Sequence, residues 1–398
     1  MVVDYPFGNT IRTQEPTTRA EAAAFLCQAA GQDGLVPTEA VAGYQFFTQS
    51  AELKKLLLAR TQGQQGWFDP QRERTIIATA PPGWQITSLG KLSENRVSAL
   101  FKSDTNIYSS GFFDENGNVV IPPGQYDKAA DFSEGLAVVT QAGKSGFIDL
   151  SGNLVIPVQF DEAQSFYEGL AAVSVETKYG FIDTSGNLVV QPQFEASNFE
   201  FSDGLARIST GYVDWQREPQ YGFIDRNGKV VVSPTFDQAE PFSEGLAAVA
   251  RGQWNNTQWG YVDRNGQVAI PFDVNRRQAS PFSEGLATVT TSGELGGVGV
   301  INTQGEWVIA PNHNAFTEIG PFVGGVARAS LGGKVGFINR QGEFVVPPIY
   351  SDAKDAQAGY AEVQYGGVWV DYISHYNNDT PYYDTQKRGG RWGYIKLP

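Results

Sequence analysis

One motif is written seven times along this chain, and a repeat at near-fixed spacing limits the fold more than any other property of the sequence. The clearest copies are SGFIDLSGNLVIPVQFDEAQSFYEGLAAV, from Ser145 to Val173, and YGFIDRNGKVVVSPTFDQAEPFSEGLAAV, from Tyr221 to Val249. Anchor glycines stand at Gly111, Gly146, Gly180, Gly222, Gly260, Gly299 and Gly336, with spacings of 35, 34, 42, 38, 39 and 37 residues. An eighth start, at Gly393, follows after another 57, and Leu92 to Phe101 reads as a degenerate copy of the repeat's second half.

Each copy decodes into the same local structure. Phe147-Ile148-Asp149 and Leu154-Val155-Ile156 are short β runs separated by Asp149-Leu150-Ser151-Gly152, where an Asx side chain caps the turn and Gly supplies positive φ. The same Asp/Asn-x-x-Gly spacing recurs at Asp114, Asp183, Asp225, Asp263, Asn302 and Asn339. Pro122, Pro157, Pro192, Pro234, Pro271, Pro311 and Pro347 follow and are expected to end the second strand, because proline cannot donate to a ladder. A third strand, Leu170 to Val173, comes after an irregular stretch and an Glu-Gly turn. The unit is therefore a three-stranded meander, too small to be stable alone, so neighbours must stack and share a core.

The expected fold is all-β: tandem β-hairpin or three-stranded meander repeats in an open superhelical array, with a small helical N-terminal segment. A seven-bladed propeller-like closure is the alternative, since units of nearly 40 residues approach blade length. Composition agrees, with 45 Gly, 21 Pro, 13% aromatics and a single Met.

The Gly-aromatic-Ile-Asp-x-x-Gly unit with its downstream Phe-Ser-Glu-Gly-Leu-Ala resembles the bacterial WG repeat family. The family's Trp-Gly pair stands at Trp259-Gly260 and Trp392-Gly393, while Ser145, Tyr179, Tyr221 and Val335 replace the Trp elsewhere. The resemblance covers about residues 92–398, three quarters of the chain. It implies a β-hairpin array with an interaction role and no general catalytic motif.

Residues 1–30 differ. DYPFGNTIRTQEPTTRAEAAAFLCQAA resembles the second half of an S-layer homology motif, through Tyr5-Pro6, Gly8, Arg12, Pro16 and Thr18-Arg19-Ala20-Glu21. That resemblance implies an envelope protein and places Arg19 at a wall-polymer site. Phe7 and Thr13 depart from the motif, and its first helix is missing. Residues 31–90 read as a linker and helical cap, with Ser50 to Arg60 amphipathic, and residues 91–398 as the repeat array.

Several function classes are disfavoured. A net charge of −14 opposes binding to nucleic acid or an anionic membrane, and no apolar run is long enough for a membrane-spanning helix. Cys27 stands alone, which excludes an intrachain disulfide, and the N-terminus shows no signal-peptide pattern. His313 and His375 lack neighbouring metal ligands, so no metal or cofactor is expected. The carboxylates Asp149, Asp183, Asp225 and Asp263, and Glu134, Glu168, Glu244 and Glu284, recur in register, as fold-determining residues do. The chain is therefore expected not to be an enzyme.

Length variation points to a binding edge instead. From the end of the third strand to the next anchor glycine the gaps are 7, 7, 14, 11, 10, 7 and 30 residues, whereas the Asp-x-x-Gly turn never changes. Insertions on one edge of a repeat array commonly mark its binding face. The candidate binding residues there are Tyr212, Trp215, Trp254, Trp259, Trp369, Tyr372, Tyr376, Tyr382 and Tyr383. The expected partner is a protein or peptide in the cell envelope, with a cell-wall polysaccharide or peptidoglycan as the alternative.

Overall fold

The computed structural model describes residues 2–4, 10–12, 66–69, 74–195, 200–210, 219–252, 257–273, 275–292, 296–312, 316–376 and 380–398, with 365–392 described by their backbone pairing. Contacts divide the chain into Met1–Leu58 and Ala59–Pro398. In the first unit Val2–Asp4 pairs antiparallel with Thr10–Arg12. The helices expected after Thr18 and at Ser50 to Arg60, like Arg19 and Cys27, lie outside the described residues. Among the described residues there is no helix.

The second unit is all-β. It contains seven four-stranded sheets and one three-stranded sheet, each an antiparallel meander in chain order, preceded by the hairpin Gly66–Asp69 and Arg74–Ile77. The sheets are numbered 1 to 8 from Trp84, and the arrangement is that of an eight-bladed β-propeller. Sheet 2 serves as the pattern: Lys128–Ala129, Leu136–Gln141, Lys144–Asp149 and Leu154–Phe160.

Two expectations are corrected here. The unit has four strands rather than three, and a propeller arrangement replaces the open superhelical array, with eight sheets where the alternative had seven. The extra strand is only two residues long in several sheets, as at Lys128–Ala129, Glu162–Ala163 and Gln238–Ala239, and two residues cannot display a period-2 pattern. Proline does not end the fourth strand either. Pro157 lies inside Leu154–Phe160, and Pro192, Pro234 and Pro347 lie inside their counterparts. These are edge strands, where a missing N–H leaves no ladder bond unmade and blunts pairing with foreign strands.

The core lies between sheets, and the pleat explains it. Ala137 and Val139 of sheet 2 pack with Phe112, Ile121 and Tyr126 of sheet 1. The alternate residues Leu136 and Val138 pack with Phe166, Ala171 and Val173 of sheet 3. Both faces of the sheet are thus buried, which is why these strands read as unbroken apolar runs. An aromatic pair closes each of several junctions: Phe112–Phe132, Phe147–Phe166, Phe181–Phe201, Phe223–Phe242 and Tyr261–Phe282, with ring centroids 4.6–5.1 Å apart. Burying each such Phe contributes about 1.5–3 kcal/mol. The anchor glycine answers to crowding. A Cβ on Gly146 would lie 2.6 Å from the carbonyl oxygen of Ile156, where the register shifts between Ser145 and Phe147.

Polar latches fasten the same junctions. In the Phe-Ser-Glu-Gly segment, Ser133 Oγ donates to the carbonyl of Phe166 in the next sheet (2.6 Å), and Gly169 N–H donates to Glu134 Oε2 (2.8 Å). The serine bond recurs from Ser93, Ser202, Ser243 and Ser283. The carboxylate bond recurs at Glu94–Gly135, Glu168–Gly204, Asp203–Gly245, Glu244–Gly285 and Glu284–Gly325. Every latch reaches from one sheet to the next in chain order.

Candidate surface at the hairpin end

The edge singled out by its variable length is the hairpin joining the second and third strands of each sheet. In its shortest form the turn is two residues with positive φ: Ala142-Gly143 (49° and 76°), Glu176-Thr177 (50° and 70°) and Gly332-Gly333 (57° and 74°). This geometry matches the twist of the flanking strands. An acidic residue pins the tip in three sheets: Asp127 accepts from Ala142 N–H, Asp161 from Glu176 N–H and Asp237 from Gly252 N–H. At this end the ion pair Lys144–Asp161 (2.6 Å) ties sheet 2 to sheet 3, and Lys178 pairs with Glu195, the residue after the fourth strand of its own sheet. The Lys144 contact and the Glu176 amide hold the Asp161 carboxyl below the usual range.

The longer hairpins rise from ordered bases. Thr210 N–H donates to the Gln220 carbonyl in sheet 4. In sheet 5 the exposed Arg251 guanidinium lies 4.6 Å from the centroid of Phe272 and 5.2 Å from that of Phe236, whose rings are themselves stacked. Sheet 8 carries the longest version, strands Tyr360–Tyr376 and Thr380–Lys396, paired from Tyr360↔Lys396 to Tyr376↔Thr380.

The sequence-predicted residues fall into three groups. Tyr212, Trp215 and Trp254 lie outside the described residues. Trp369, Tyr372, Tyr376, Tyr382 and Tyr383 occupy the long hairpin of sheet 8, where Trp369 pairs with Lys387, Tyr372 with Asp384 and Tyr383 with Ile373. Trp259 is corrected: it is 3% exposed, in the core between sheets 5 and 6, and does not belong to an exposed tip. It holds the position before the anchor glycine, which is equally buried at Tyr179 and Val335. Alignment with those residues could have placed it inside. Arg251 was missed, because only the fold brings Phe236 and Phe272 beneath it.

At the first-strand edge, side chains of three consecutive sheets meet. Burial, then Glu200 of sheet 4 and Asp131 of sheet 2, raise the Tyr167 phenol of sheet 3. Burial likewise raises the Glu240 carboxyl, with the Arg207 charge opposing it. Fourth strands differ, exposing apolar pairs such as Leu154-Val155 and Leu188-Val189. The repeated turn carboxylates are committed to backbone: Asp149 Oδ1 accepts from Ser151 and Asn153 N–H, and Asp183 does the same in sheet 3. No cluster of three metal-ligating side chains occurs among the described residues.

Several solved structures align with the chain at low sequence identity. A crystal structure of a eukaryotic initiation factor aligns over 83% of this chain and 97% of its own, with TM-score 0.52 and 11% identity. BamB from Moraxella catarrhalis aligns over 70% and 93%, with TM-score 0.38 and 12% identity. The β-propeller domain of the trilobed protease from Pyrococcus furiosus aligns over 66% and 99%, with TM-score 0.37 and 12% identity. No curated protein sequence matches. The family described as WG containing repeat matches residues 111–144, 146–179, 179–212, 221–252, 259–293, 299–334 and 336–369. With seven matched copies spanning most of the array, the chain belongs to the WG containing repeat family.

Proposed function

We propose that this protein is a non-enzymatic scaffold that binds a protein or peptide partner through the second-to-third-strand hairpins. One observation carries the reading: length varies at these hairpins, while the Asp-x-x-Gly turn at the other end of the third strand is constant. Core and latches demand a fixed repeat, so selection for folding alone gives no reason for insertions on one edge. Several hairpins can each add a small contact to a standard-sized interface. An envelope setting is part of the proposal and rests on the N-terminal motif around Arg19.

The test is the double variant Trp215→Ala/Trp254→Ala. Folding stays intact, and affinity for a partner captured by the intact chain falls by about 2 kcal/mol or more, as for aromatic hot spots. The control is Phe181→Ala, a fully buried residue whose loss costs about 3–5 kcal/mol of stability. Full affinity in the folded double variant would place the binding face elsewhere. Binding to purified wall polysaccharide that is lost in Arg19→Ala would favour the polymer reading.

A further inference from the structure

The latch that fastens the sheets stops before the last junction. At the position of Ser283-Glu284 in sheet 6, sheet 7 has Val323-Gly324, which has neither hydroxyl nor carboxylate to offer sheet 8. The receiving side has changed too. Ala356 stands where Phe166, Phe242 and Phe282 supply an aromatic ring to their junctions, so this position supplies no ring. Sheet 8 also has Gln357-Ala358 in place of Ser-Glu. Ala358 keeps the positive φ of 50° that Glu134 (55°) and Glu284 (53°) adopt.

An ionic contact stands at this junction instead. Arg328 of sheet 7 pairs with Glu318 of its own sheet (2.6 Å) and with Asp355 of sheet 8 (3.0 Å). Asp355 fits because residue 320 is glycine: a Cβ there would lie 2.4 Å from Asp355 Oδ1. Lys354 and Glu362 complete the charged set and pair with each other within sheet 8 (2.5 Å). The Arg328 side chain is 16% exposed, but its carboxylate partners are 42% and 55% exposed, so salt reaches the contact.

We propose that the seam between sheets 7 and 8 is a built-in opening point, held by the Arg328–Asp355 ion pair and released by salt, which lets sheet 8 and its long hairpin part from sheet 7 while the latched sheets stay closed. The proposal does not depend on which partner the hairpins bind. It follows from the carboxylate latch, which joins each earlier pair of consecutive sheets and is replaced at this one.

Thiol labelling of the full chain tests it, because sheets 2 to 8 each have an alanine at the second position of the second strand. In sheets 3 and 5 this residue packs on the preceding sheet, and Ala171, Ala247 and Ala361 are all 2% exposed or less. Ala171→Cys, Ala247→Cys and Ala361→Cys are each made in a Cys27→Ser background and labelled under native conditions. The expected result is labelling at 361 roughly tenfold faster than at 171 or 247, a ratio that rises between about 0.1 M and 1 M KCl. Adding Val323→Ser/Gly324→Glu to Ala361→Cys restores the latch and brings the ratio towards one. Arg328→Met raises it at low salt and removes its salt dependence. Equal labelling at all three positions, or a ratio unmoved by both salt and the restored latch, would overturn the proposal.

Discussion

A single residue of the repeat shows how sequence becomes assembly. Glu134, Glu168, Glu244 and Glu284 adopt φ of 51–55°, a region that costs a non-glycine residue about 1–2 kcal/mol. The carboxylate offsets that strain by accepting a backbone N–H from the following sheet. Glu134→Ala keeps the strain and loses the bond, so urea denaturation should show a loss of about 1.5–3 kcal/mol. Glu134→Gly relieves the strain and should cost less than the alanine variant. Acid should act on the same bonds. The Gly325 amide is the largest influence on Glu284 and holds its carboxyl below the usual range, and the Asn153 side chain does so for Asp149. A lowered folded pKa means the stabilisation is complete above the unfolded carboxylate range, about pH 4, and lost as pH falls through the folded value. Stability measured from pH 6 downward should therefore decline below about pH 4.5. The glutamates were legible as structural from their recurrence. Their partners were not, because each lies 35–41 residues away in the next copy.

At the scale of the strand, hairpin turns and anchor glycines were readable because Asx-x-x-Gly and a crowded glycine each leave a residue-type signature. Gly180→Ala would put a Cβ 2.4 Å from the Val190 carbonyl oxygen, a contact between backbones that no rotamer relieves. We expect a loss of about 3 kcal/mol or more, read as a fall in thermal midpoint. The two-residue first strands escaped detection for want of pattern. Counting three strands instead of four then favoured the open array over the propeller. Proline misled for a different reason. It forbids a ladder bond, but an edge strand has one side with no ladder to break, so Pro157 and Pro192 sit within strands. Trp259 was read as a tip because of its side chain, whereas its register position decided its place in the core.

The whole molecule separates what is constant from what varies. Apolar alternation, latches and anchor glycines set the repeat, and these bear on the faces between sheets. The hairpin end is free of those demands, and insertions collect there. The fold was therefore legible from repetition, while the candidate surface was legible only as an edge of varying length. Neither the Arg251–Phe236–Phe272 stack nor the Arg328–Asp355 contact could be read from spacing, since each joins side chains from different copies or distant strands. The most direct measurement replaces residues 211–218 and 253–256 with the two-residue turn of sheet 2, Ala-Gly, and compares binding with the intact chain. Our account predicts a thermal midpoint within about 4 °C of the intact protein, together with loss of the partners that the intact chain captures from a solubilised envelope fraction. A trimmed chain that stays folded and captures those partners undiminished would contradict it.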